Sequence, residues 1–132
     1  MLPEKDSTRP IRPVAAGELD PLELKMKILL KWKIWRIEAA IKSLIVAEGH
    51  KPFVWSFGAY YIDPKHLVFV VGIPTDEERD KLKALDSFRS SLRELLVKYN
   101  WPQKARAHVA FDIESQETVD REDNGNWWYH YK

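Results

Sequence analysis

The chain contains no cysteine. That excludes a disulfide framework, a thiolate zinc site, an iron–sulfur cluster and a cysteine nucleophile. Glycine is sparse, five in 132 residues, and neither a P-loop nor a G-x-G-x-x-G turn occurs. The G-x-S-x-G elbow and the H-E-x-x-H metal motif are missing as well. No apolar run reaches the length of a membrane span. Residues 1–13, MLPEKDSTRPIRP, lack the apolar core of a signal peptide. An excess of one charge is also lacking: 21 Lys and Arg stand against 20 Asp and Glu, a net charge of +1. Whole-chain charge therefore gives no case for nucleic acid or an anionic membrane as partner. These absences lead us to expect a cytoplasmic chain with no membrane contact, no metal and no cofactor.

Aromatic residues are abundant. Six Trp, five Tyr and five Phe make up 12% of the chain, with Trp32 close to Trp35 and Trp127 next to Trp128. Such residues contribute heavily both to cores and to interfaces. The segment FVWSFGAYY carries aromatics of the kind that stack on RNA bases, but it lacks a leading Lys/Arg-Gly and stands in the wrong element order for that fold. Nucleic acid is not the expected partner.

Residues 1–19 hold Pro3, Pro10 and Pro13 and few large apolar groups, and are expected to form a mobile arm before a single α+β domain over 20–132. The first helix has a sharp start: Asp20 suits the N-cap, Pro21 the first helical position, and Glu23 stands three after the cap. The helical pattern runs to about Glu48, where Gly49 and Pro52 stop it. Two apolar stripes follow from 100° per residue. Met26, Leu30, Ile34, Ile37, Ile41 and Leu44 form one; Ile28, Trp32, Trp35, Ala39 and Val46 form the other. One stripe suffices to dock a helix on a sheet. The second calls for cover by the chain's own termini or by another subunit.

Residues 52–62 and 67–73 read as two strands joined by Asp63-Pro64-Lys65-His66, a β-hairpin with both faces largely apolar. Such a hairpin is central in its sheet or has its second face covered. Thr75-Asp76-Glu77-Glu78 is a capping box, and Leu82, Leu85, Phe88, Leu92, Leu95, Leu96 and Tyr99 form one helical face extending to Asn100. Residues 104–114 alternate as a strand, with Arg106, His108, Asp112 and Glu114 facing away from the core. Asn124-Gly125 is a hairpin signal, which makes WWYHYK a last strand. The expected fold is α-β-β-α-β-β, a four-stranded, mainly antiparallel sheet with two helices packed on one face.

Catalytic signals are scarce. None of His50, His66, His108 and His130 has a histidine three or four positions away, so no metal-type pair exists. The one polar constellation suited to acid–base work or ligand binding is the outer sheet face, where Tyr60, His108, Asp112, Tyr129 and His130 would converge. Polar residues at alternate positions are also what any half-exposed strand displays. Charge is unevenly spread. Residues 22–48 carry six basic and three acidic residues, and residues 112–132 carry two basic and six acidic ones. Together these features point to a non-catalytic interaction module. It would form a homodimer, or meet another protein, through Trp32, Trp35, Trp127 and Trp128. A small-molecule site or minor enzyme on the outer sheet face is the alternative.

Overall fold

The computed structural model describes residues 20–132. The arm expected over residues 1–19 lies outside the described residues. Helix α1 (Pro21–Ala47) begins as its sequence dictates: the Asp20 carboxylate accepts from the Glu23 N–H at 2.9 Å, and Pro21 occupies the first turn. Strand β1 (Val54–Phe57) pairs antiparallel with β2 (Val68–Ile73), and β2 pairs parallel with β3 (Ala110–Ser115). Helices α2 (Asp76–Ala84) and α3 (Asp86–Lys98) supply the crossover that a parallel pair requires. Helices α4 (Gln116–Asp123) and α5 (Trp127–His130) close the chain.

The fold is thus α+β with a three-stranded mixed sheet in the order β1-β2-β3. This corrects the expected four-stranded, mainly antiparallel sheet with two helices, and each departure has a local cause. The segment WWYHYK forms α5 and not a strand: Asn124 adopts a left-handed conformation (φ 52°) as the C-cap of α4, and the Asn126 side chain accepts from the Tyr129 N–H at 2.9 Å to start the next helix. Residues 104–108 belong to a 3-10 segment, Gln103–His108. The turn is made by backbone bonds, the Ala105 N–H donating to the Pro102 carbonyl and the Val109 N–H to the Ala105 carbonyl; Arg93 braces it by donating to the carbonyl oxygens of Arg106 and Val109, and Arg106 Nε donates to the Trp101 carbonyl at 2.6 Å. The first strand ends early because Gly58 turns with φ 111°, its α-carbon so close to the His66 carbonyl that a β-carbon would lie 2.0 Å from the oxygen. The long second helix is two helices, broken where Leu85 turns extended (φ −85°, ψ 104°) and becomes 39% exposed.

The main core lies between the sheet and α1 with α3. Ile34, Ile37, Ile41 and Ile45 of α1 meet Phe69, Val71, Ile73 and Ile113 of the sheet, with Phe88, Leu92, Leu95 and Leu96 of α3 alongside. Pairing of Phe69 with Phe111 and of Val71 with Ile113 puts these four side chains on one face. Trp55, Phe57, Val70, Asp112 and Glu114 fall on the other. That second face is covered by the C-terminal segment: Tyr131 packs against Trp55 and Phe57 at 5.6 and 5.7 Å between ring centres, and Trp127 against Phe53 at 5.1 Å.

Candidate functional site

Two regions stand out, the outer face of α1 and the polar ends of β2 and β3. The expected core stripe of α1 is buried at Leu30, Ile34, Ile37 and Ile41, while Leu44 is only partly buried and its neighbour Ile45, outside that stripe, is inaccessible. Met26, on the same stripe, is exposed, because the sheet and α3 do not reach the first two turns. The opposite stripe is bare among the described residues: Ile28, Trp32, Trp35 and Val46 are each at least half exposed, and Leu24 lies beside them. Arg36 lies over the Trp32 ring at 5.0 Å and the Tyr99 ring at 5.4 Å, holding that tryptophan against the helix surface. Lys33 donates to the Asn100 carbonyl and Ser56 to Glu38, so the flanks of α1 are tied to the body while the seam between them is not.

In the second region, the first turns of α2 and α4 meet beyond the ends of β2 and β3, where the Asp76 N–H donates to Glu117 at 2.8 Å. Ser115, fully buried, accepts from the Thr118 N–H and donates to Asp76; the Thr118 hydroxyl also donates to Asp76, at 2.8 Å. These hydroxyls, with Arg121, hold the Asp76 pKa down at about 2. Arg79 donates to Glu114 Oε1 at 2.7 Å and to Thr118 at 2.8 Å. Burial pushes the Glu114 pKa up, but the Ser115 N–H, Arg79 and His130 outweigh it and hold it below the usual range. His130 stands between two carboxylates, with Nε2 2.9 Å from Glu114 and Nδ1 2.8 Å from Asp123. Burial pushes the imidazole pKa down, and the two carboxylates more than reverse this, so it stands above its ordinary value. Tyr131 donates to Asp112, and burial followed by that carboxylate drives the phenol pKa upward.

The structure brings some of the sequence-derived candidates together and separates others. Asp112 and His130 do reach one face, through Tyr131 and Glu114. His108 is exposed at the end of the 3-10 segment, ahead of β3, and does not share a strand with Asp112. Tyr60 is buried in the loop after β1, edge-on to Trp101 and Tyr61. Tyr129 is 60% exposed, with Lys132 over its ring. Among the aromatic candidates, Trp128 is exposed, whereas Trp127 is half-buried and donates to Gln116 at 2.8 Å. The sequence does not single out Asp76, Arg79, Asp123 or Tyr131 for this site, and it offers Glu114 only as a flanking residue on the outward face beside Asp112. The one sequence signal that pointed toward them is the outward alternation of Asp112 and Glu114; the rest assemble from segments far apart in the chain.

Chemically, this cluster is a clasp. Both ring nitrogens of His130 are occupied, and Asp76, Glu114 and Asp112 each have donors. Glu122, Asp123 and His130 offer ligand atoms within 4.8 Å of one another, but a metal would have to displace the proton that holds His130 between its carboxylates. No described helix is long and apolar enough to cross a membrane. Comparison with protein-family models, curated proteins and solved structures finds no match for this chain, so a functional reading rests on geometry alone.

Proposed function

We propose that this chain is a protein-interaction module that self-associates through the outer face of α1, its occupant being α1 of a second copy. The observation that carries this is the exposure of Ile28 (60%), Trp32 (50%), Trp35 (59%) and Val46 (55%) along one stripe, opposite a stripe that is already buried. A helix apolar on both sides is ordinarily a buried one.

Spacing argues for a helix as the occupant. Ile28, Trp32, Trp35, Ala39, Lys42 and Val46 follow one another at steps of four and three, the seam of a two-helix pairing. An antiparallel, two-fold arrangement fits the side-chain sizes. With its centre between Trp35 and Ala39, it places each Trp35 on the small Ala39 of the other copy, Ile28 against Val46, and Trp32 along the aliphatic stem of Lys42. The chain's own first 19 residues are a poorer cover, because they contain only Met1, Leu2, Ile11, Val14 and Leu19 as large aliphatic groups.

The test is sedimentation of the full chain and of its Trp35→Glu variant. A dimer at about 100 µM, well above a micromolar dissociation constant, that becomes a monomer in the variant with an unchanged circular-dichroism spectrum supports the proposal. A parent chain that is monomeric at that concentration overturns it. A dimer indifferent to both Trp35→Glu and Trp32→Glu places the interface elsewhere and overturns it too.

A further inference from the structure

A cavity of about 260 Å³ opens where the α2–α3 junction meets β3, away from both regions described above. Its floor is apolar, formed by Leu92, Phe111 and Ile113, with Leu92 and Ile113 almost fully buried. Its rim is cationic, formed by Lys83, Arg89 and Arg93. We propose that this pocket binds a small monocarboxylate carrying one aromatic or branched apolar group, of the benzoate type.

The rim is set up for an anion. Arg93 donates to the carbonyl oxygens of Val109 and Arg106 and lies over the Phe111 ring at 5.4 Å. Those bonds fix the guanidinium at the cavity mouth and use two of its five N–H groups, leaving others to meet a carboxylate in a forked geometry. Neither Arg93 nor Lys83 has a carboxylate within ion-pair distance among the described residues. Arg89 is different: it is paired with Asp86 and donates to the Lys83 carbonyl at 2.9 Å, which braces the junction between the two helices. Among the described residues, the rim thus presents two uncompensated positive charges above an apolar floor.

Size and floor select the ligand. The volume lies below the range typical of drug-sized sites, so it takes one ring or one branched chain. Phe111 stacks on Phe69 at 5.3 Å, which fixes its ring in the cavity floor beneath Arg93. Free phosphate would satisfy the rim but leave the floor wet.

The experiment is a titration of the full chain with benzoate, followed by amide chemical shifts. Saturable shifts confined to Lys83, Arg89, Leu92, Arg93, Phe111 and Ile113 are expected, with benzyl alcohol and inorganic phosphate each at least about tenfold weaker. Lys83→Gln, at an exposed position where folding is not at risk, should weaken benzoate by several-fold, and Arg93→Gln by more. No saturable shift up to about 10 mM benzoate overturns the proposal. So do phosphate binding as tightly as benzoate, and binding unaffected by Lys83→Gln in a chain whose spectrum is native.

Discussion

His130 Nε2 lies 2.9 Å from Glu114 Oε2, joining the last helix to the last strand. Its other nitrogen meets Asp123, so the imidazole bridges β3 and α4 only as a cation, because a neutral ring would turn a lone pair on one carboxylate. Glu122 adds a further negative charge 3.9 Å away, and Arg79 neutralises part of Glu114 from α2. The clasp keeps Tyr131 and Trp127 on the sheet face that would otherwise expose Trp55 and Phe57.

A pH dependence follows, with a fixed sign. The folded-state pKa of His130 is raised, so its contribution is fully present below the ordinary value of 6.5 and is lost as pH rises through the folded value. Amide exchange at Tyr129 and His130, whose N–H groups are bonded to Asn126, is expected to lose protection over the pH window that opens at the ordinary 6.5 and runs up through the raised folded value, beyond the intrinsic base-catalysed rise. His130→Gln should remove that excess. Equal protection in the two proteins across this window would show that the clasp does not depend on the proton.

Asp76 behaves in the opposite sense. Its folded pKa of about 2 lies below the ordinary 3.8, so its contribution is present above the ordinary value and is lost as pH falls through the folded one. Asp76→Ala should lower the thermal midpoint at pH 6, and the gap to the parent should narrow steadily between pH 4 and pH 2. A constant gap would mean that the carboxylate acts by packing alone.

Leu92 is 2% exposed at the centre of α3, between α1 and the sheet. Leu92→Ala is expected to cost about 2–5 kcal/mol, the range for removing a buried leucine side chain. Leu85→Ala, at the exposed break between α2 and α3, should cost well under half as much. Chemical denaturation of both variants measures the contrast, and equal losses would contradict the placement of the break.

The absence of cysteine makes the proposed pairing of α1 directly testable. Under oxidation, a chain carrying both Ile28→Cys and Val46→Cys should form a covalent dimer, because the antiparallel arrangement sets these positions opposite each other. Each single variant should stay uncrosslinked. Crosslinking of the single variants instead would indicate a parallel pair.

Local chemistry was legible in the amino-acid order. Asp20, Pro21 and Glu23 set the start of α1; Thr75 and Glu78 set the start of α2; the Leu-rich periodicity marked Phe88, Leu92, Leu95 and Leu96 as core. These features act within one or two turns, so they are readable without knowing what lies across the molecule. Contacts between distant segments account for most of what remains. WWYHYK lies on the border between the two: the Asn124 and Asn126 caps on its flanking turns are local, whereas the contacts of His130 and Tyr131 with Glu114 and Asp112 on the sheet are tertiary. Residues 104–108 form a 3-10 segment that Arg93, from a different helix, braces at the carbonyls of Arg106 and Val109. Leu85 broke a continuous apolar pattern with no glycine or proline to announce it. The polar clasp draws on β3, α2, α4 and the C-terminus, and no spacing rule links residues brought together from separate elements.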